Sequence, residues 1–121
     1  MSHLIGPDFI GIQADDLDAA RDFYHGVLGL PIMDGPPDAI VFDSKPIKFA
    51  VRKPLVDIQP DDKMGWGIAL WFACDDAEAL HDMLVEKHIA IAFAPKDGPF
   101  GRYFAFIDPF GYTITAHTAA A

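Results

Sequence analysis

Twice along this chain an alternating apolar stretch gives way to a three-and-four rhythm. Phe9-Ile10-Gly11-Ile12 reads as an extended segment, and after Asp15-Asp16 the apolar positions Leu17, Ala20, Phe23, Tyr24, Val27 and Leu28 predict an amphipathic helix. Asp15 or Asp16 can accept the free N–H groups of its first turn, and Gly29 supplies a left-handed stop. The acidic pair then returns as Asp75-Asp76, an offset of 60 residues. Ile68-Ala69-Leu70-Trp71-Phe72 precedes it, and Leu80, Met83 and Leu84 form the helical stripe behind it, with Ala79 and Asp82 in register with Ala19 and Asp22. Short β-type segments follow each helix: residues 31–33, 39–43 and 47–52, then 90–94, 103–107 and 112–117. Gly35-Pro36-Pro37, Gly98-Pro99 and Pro109-Phe110-Gly111 supply turns between them. The predicted unit is βαβββ, used twice in one α+β domain: residues 8–54, a connector over 55–66, and residues 67–117.

Composition narrows the function classes. The 121 residues are 51% hydrophobic, enough for one core. Nine Lys+Arg against 18 Asp+Glu give a net charge of -9 with no basic cluster, so neither nucleic acid nor an anionic membrane is an expected partner. No apolar run approaches the ~20 residues of a bilayer span, and no basic flank leads into an apolar leader, so a cytoplasmic location is predicted. Cys74, the lone cysteine, lies in the apolar run Leu70-Trp71-Phe72-Ala73-Cys74 and is expected to be a buried, inert thiol.

Two segments carry a family resemblance. DDLDAARDFYHGVLGLPI, with Phe23-Tyr24 and Leu28-Gly29-Leu30, and FGRYFAFIDPFGY, with Asp108-Pro109-x-Gly111, are similar to the signatures of the glyoxalase/bleomycin-resistance/extradiol-dioxygenase (vicinal oxygen chelate) superfamily. The resemblance spans about residues 8–117. It implies paired βαβββ modules whose mixed sheets curl around a cavity, in a homodimer. It also implies four metal-ligand positions, His or Gln and Glu in the first half, His and Glu in the second. Here those positions hold Phe9, Ala50, Ala69 and Thr115; a register slip of two would replace Ala50 by Lys48 or Arg52. A divalent ion needs several anionic or imidazole donors at about 2.0–2.3 Å, and this set offers one hydroxyl. No metal and no cofactor are expected.

Residues sharing parity with those positions are expected to face the cavity: Phe9, Gly11 and Gln13; Lys48, Ala50 and Arg52; Ala69, Trp71 and Ala73; Thr113, Thr115 and His117. The opposite set, Ile10, Ile12, Ile47, Phe49, Val51, Ile68, Leu70, Phe72 and Ile114, is apolar, as a helix-covered face requires. Aromatic plates, small residues and a few polar groups suit a small-molecule pocket, and equally suit a packed core. Lys48 and Arg52 either favour an anionic or carbonyl-bearing guest or pair at the rim with Asp43, Asp57 or Asp61. His117 is either a proton acceptor or ligand contact at the cavity mouth, or a surface histidine at a strand end. Arg102 follows a Pro95 to Pro99 loop that could close over a cavity; it either binds ligand or fixes that loop. Trp66, between Gly65 and Gly67, either stacks on a ligand or seals a subunit interface.

The other histidines offer less: His81 and His88 are expected on the solvent side of the second helix, His25 near a helix end, and His3 in a frayed terminus. No glycine-rich phosphate cradle or nucleophile elbow is present in the sequence, and no catalytic residue is identified. The expected function is a metal-free protein of this superfamily that binds an antibiotic or metabolite in a cavity floored by Phe9, Ala50, Ala69, Trp71 and Thr115. The alternatives are a glyoxalase-like lyase or dioxygenase acting on a carbonyl compound through an unorthodox site that includes His117, and a closed cavity that leaves only dimerisation.

Overall fold

The computed structural model describes residues 2–119, so His3 falls within it and the last two alanines lie outside. The chain divides into two compact units, one ending at Asp62 and one beginning at Lys63.

In the first unit β1 (Phe9–Gln13) leads into α1 (Leu17–Arg21), followed by β2 (Ile32–Met33), β3 (Ala39–Phe42) and β4 (Lys48–Arg52). The sheet runs β1-β4-β3-β2, with β1 and β4 parallel and the other pairs antiparallel. Asp16 caps α1, its carboxylate accepting the Ala19 N–H at 3.0 Å. Past Arg21 the coil widens to π-helical turns over Asp22–Val27, with the Leu28 N–H reaching back to the Phe23 carbonyl. The chain stops at Gly29, whose φ of 80° is the left-handed conformation the sequence suggests. Tyr24, fully buried, packs 5.0 Å from Phe49 and 5.9 Å from Phe42 between ring centroids and anchors this core.

The second unit repeats the design. β5 (Leu70–Cys74), α2 (Ala77–Glu86), β6 (Ile91–Gly98), β7 (Gly101–Ile107) and β8 (Thr113–Thr118) form a sheet in the order β5-β8-β7-β6, again with one parallel pair, β5 and β8. Asp76 caps α2 through the Ala79 N–H. The registers match as well as the order: Gly11 pairs with Ala50 in the first sheet and Trp71 with Thr115 in the second. Within each sheet one face is buried, by Ile12, Phe49 and Val51 or by Leu70, Ile114 and Ala116, as the alternation predicts; Ile68, expected on that face, lies ahead of β5 and is exposed.

Three further expectations change. The Pro95 to Pro99 segment is not a loop: β6 runs through Pro95 to Gly98 and turns at Pro99-Phe100, with Gly98 paired to Gly101. Proline fits because β6 is an edge strand, where a missing N–H costs no ladder bond. His81 is not on the solvent side: its side chain is 19% exposed and packs edge-on to Phe104 with centroids 5.4 Å apart. His88 lies past the end of α2 in a left-handed turn, φ 61°.

Candidate functional site

The face of the second sheet turned away from α2 carries a cluster of aromatic side chains. Strand pairing lays it out: Trp71, Thr115 and Ala105 are aligned across β5, β8 and β7, and Ala73, His117 and Tyr103 form the next row. Trp71 stacks on Tyr103, centroids 5.4 Å apart and planes 26° from parallel, and meets Phe100 edge-on at 6.0 Å. The His117 imidazole lies 5.9 Å from the Trp71 ring. Phe93 closes the far side with its ring perpendicular to Tyr103, and the Lys96 ammonium sits 4.4 Å from the Phe93 ring centre and 5.5 Å from that of Tyr103. Despite these contacts Trp71 remains 43% exposed, so part of the indole faces solvent.

His117 is oriented by one bond. Its Nδ1 is 3.1 Å from the Phe100 carbonyl oxygen, which can only accept, so Nδ1 carries the hydrogen. In the neutral ring Nε2 is then the lone-pair nitrogen. A hollow of about 330 Å³ opens beside it, lined by Pro99, Phe100, Gly101, His117 and Thr118. The Thr118 hydroxyl accepts the Ala77 N–H at 2.9 Å, tying β8 to the start of α2. Cys74, at the end of β5, is half-buried where the sequence suggested a buried thiol, and it donates to the His117 carbonyl oxygen; what burial it has, aided by the Asp75 charge, pushes that thiol up.

Phe9, Lys48, Ala50 and Arg52 share the helix-free face of the first sheet by register. Phe9 is 52% exposed, while Ala50 is buried between Gly11 and Val41. Lys48 is bound to Asp43, which also takes Lys45 at 3.1 Å; the two lysines, Lys48 foremost, hold the Asp43 carboxyl below its usual range, and Asp43 holds Lys48 above its own. Arg52 approaches Asp38 at 3.5 Å. Both cations thus carry carboxylates, the rim arrangement foreseen for Lys48 with Asp43, whereas the Arg52 partner is one the sequence did not suggest. A larger hollow of the first unit, about 580 Å³ along residues 53–59 beside Asp15, has no aromatic side chain and no histidine among its described lining residues.

Of the residues singled out in the second unit, Trp71, Thr115 and His117 come together on one face, and Ala69 lies exposed just ahead of β5. Arg102 does not join them: it bonds Glu78 of α2 at 2.8 Å and Asp97 at 3.1 Å, and both carboxylates raise its proton affinity. With Asp97 part of β6, these bonds tie β7 to α2 and to the neighbouring strand and fix no loop. Trp66 is exposed beneath the Lys63 ammonium, 4.5 Å from the ring centre. The sequence reading missed Phe93, Lys96 and Phe100 as members of the aromatic face. A usable signal existed for Tyr103, since counting back from the Asp108-Pro109-x-Gly111 turn pairs it with His117.

The positions that the family resemblance assigns to metal ligands do not fit a metal. Phe9, Ala50 and Ala69 have no donor atom, and Thr115 has one hydroxyl. Glu78, His81 and Asp82 bring three ligand atoms together on α2, but Glu78 is engaged by Arg102 and His81 Nδ1 lies 3.0 Å from Asp82. No described helix is long and apolar enough to cross a membrane.

Comparison with solved structures agrees with this architecture. The chain resembles a glyoxalase/bleomycin resistance protein from Streptomyces sp. CB03234 (25% identity, 93% of this chain and 100% of that one, TM-score 0.70). It also resembles a glyoxalase/dioxygenase from Nostoc punctiforme (22% identity, 100% and 99%, TM-score 0.72). A lactoylglutathione lyase from Agrobacterium tumefaciens is similar as well (19% identity, 95% and 94%, TM-score 0.66). No curated protein is significantly similar in sequence. The family model of the Glyoxalase/Bleomycin resistance protein/Dioxygenase superfamily matches residues 6–115. With two βαβββ units of matching register and that match over nearly its whole length, the chain belongs to the glyoxalase/bleomycin resistance protein/dioxygenase superfamily.

Proposed function

We propose that the protein binds a small organic molecule, an antibiotic or a metabolite, without a metal, and does so as a homodimer whose ligand cavity includes the helix-free face of the second sheet. The observation that carries this reading is Trp71, held by Tyr103, Phe100 and His117 yet 43% exposed. A large aromatic surface braced on one side and open on the other suits ligand stacking better than core packing. Trp71, Thr115 and His117 are the contacts proposed in this unit, with Ala69 leaving room beside them; Phe9, Lys48, Ala50 and Arg52 are the candidates in the first. The similarity to a glyoxalase/bleomycin resistance protein supports a binding role.

The test is a thermal-shift screen of small aromatic and carbonyl compounds against the wild type and Trp71→Ala. A ligand at about 100 times its Kd should add roughly 2.7 kcal/mol to stability in the wild type and nothing in the variant. A broad screen without any shift would refute the reading. Metal analysis should find no stoichiometric divalent ion, and a chelator should leave Tm unchanged. Sedimentation should give twice the mass of the chain.

A second reading, a lyase or dioxygenase acting on a carbonyl compound in the manner of the lactoylglutathione lyase it resembles in fold, is favoured by His117, whose oriented imidazole could take a proton. Turnover of a carbonyl substrate, lost in His117→Ala, would establish it.

A further inference from the structure

The hollow beside His117 has a definite chemical character. Pro99, Phe100, Gly101, His117 and Thr118 line it, and among the described residues that lining includes no carboxylate, lysine or arginine. Of the cations nearby in sequence, Arg102 is paired with Glu78 and Asp97, and Lys96 lies on the aromatic face over the rings of Phe93 and Tyr103, outside the described lining of the hollow. An anionic guest would therefore meet no free countercharge in the lining, and a cationic one no carboxylate. The Phe100 carbonyl occupies Nδ1 as its hydrogen donor, which leaves Nε2 as the acceptor of the neutral ring. Trp71, 5.9 Å from the imidazole, provides an adjoining π-surface.

We propose that His117 is the specificity-determining residue of this site, and that through Nε2 it accepts a hydrogen bond from a neutral phenolic hydroxyl of an aromatic ligand lying against Trp71. This rests on the reading of the helix-free face as a ligand site and names the class of ligand it takes. The Phe100 carbonyl is the positioning group, since it fixes both the tautomer and the direction in which Nε2 presents its lone pair. His117 itself is half-buried, so the discrimination comes from the ligand: an aromatic guest seated on Trp71 covers Nε2, and an analogue lacking the hydroxyl then leaves that nitrogen without the partner that water supplied.

The probes are 2-naphthol, its methyl ether 2-methoxynaphthalene, and 2-naphthoate, titrated into isotope-labelled protein and followed by amide chemical shifts. In the wild type 2-naphthol should bind about tenfold more tightly than the ether, the order of one net hydrogen bond. His117→Asn keeps an amide N–H to offer the Phe100 carbonyl, and with the amide so turned its acceptor Oδ1 falls near the Cδ2 position and does not reach where Nε2 stood. In that variant the ratio of naphthol to ether affinity should fall to about one, whatever the loss of the imidazole ring does to both probes alike. Equal binding of naphthol and ether by the wild type would overturn the role of His117 and leave the ligand site standing, and this comparison remains decisive if the variant fails to fold. A preference that survives in His117→Asn would place the acceptor elsewhere and overturn the proposal. Tighter binding of 2-naphthoate than of 2-naphthol would also overturn it, because Nε2 would then be donating. No shift with any probe, in a protein that also fails the thermal-shift screen, would remove the ligand site itself.

Discussion

Asp108 holds the turn between the two strands that carry Tyr103 and His117, so replacing it should cost far more than a surface aspartate would. It is 4% exposed, and its Oδ1 accepts the N–H groups of Phe110 and Tyr112, each at 2.9 Å. The Asp108 N–H returns to the Tyr112 carbonyl at 2.9 Å, and Gly111 takes a φ of 94° to complete the turn. Asp108→Ala removes two bonds to a carboxylate oxygen and leaves two N–H groups short of a partner in a site with little water. At about 1.5–3 kcal/mol per bond to a charged acceptor, less what water regains at the partly exposed Phe110, the loss should be about 3–4 kcal/mol. Asp108→Asn keeps an oxygen in place and loses the charge assistance, so about 1–2 kcal/mol is expected. Urea unfolding followed by circular dichroism measures both, with an unchanged m-value marking a true stability effect. If alanine costs under about 1 kcal/mol, or if asparagine is as damaging as alanine, the carboxylate is not what holds this turn.

Other consequences can be checked separately. Burial and the Asp75 charge raise the Cys74 thiol, so at neutral pH it holds less thiolate than a free cysteine and iodoacetamide should alkylate it more slowly than it does in urea; equal rates would contradict this. A methyl group at Gly98 would fall 2.7 Å from Tyr103 Cδ1, so Gly98→Ala should displace Tyr103 from Trp71, cost about 1–3 kcal/mol and change the near-ultraviolet circular dichroism; an unaltered spectrum would speak against the stack. Asp43 binds its proton less tightly in the folded state, so its contribution exists above the unfolded carboxyl range near pH 4 and fades as pH falls through the lower folded value. Wild type should therefore exceed Asp43→Asn in stability at pH 7, and the gap should close in acid; a gap constant across that range would refute the pairing.

How far the sequence carried the fold depended on the kind of signal. The alternation in Phe9–Gln13 and Leu70–Cys74 separates two faces because a strand repeats every two residues, and the paired acidic caps mark both helix starts. The widening after Arg21 was not legible, since Phe23, Tyr24, Val27 and Leu28 suit an α-helical and a π-helical turn alike. Pro95 reads as a loop residue until β6 is known to lie at an edge, which is a property of the whole sheet and not of its own neighbourhood. The same limit applies to the site. Parity along β5 and β8 brought Trp71, Thr115 and His117 to one face, but Phe93 and Phe100 join it only through the β6–β7 pairing, whose register shifts defeat simple counting. His81 was misplaced because neither the helix stripe nor its polarity reveals the Phe104 ring that it packs against.

The central claim, that the open side of Trp71 is a ligand surface, is tested most directly by fluorescence titration of Trp66→Phe, in which Trp71 is the one remaining indole. Ligands found by thermal shift should quench or shift its emission saturably, with the same Kd that their stabilisation implies, and His117→Asn should weaken phenolic ligands alone. Ligands that stabilise the protein while leaving the Trp71 emission unchanged would show that they bind elsewhere and would contradict the claim.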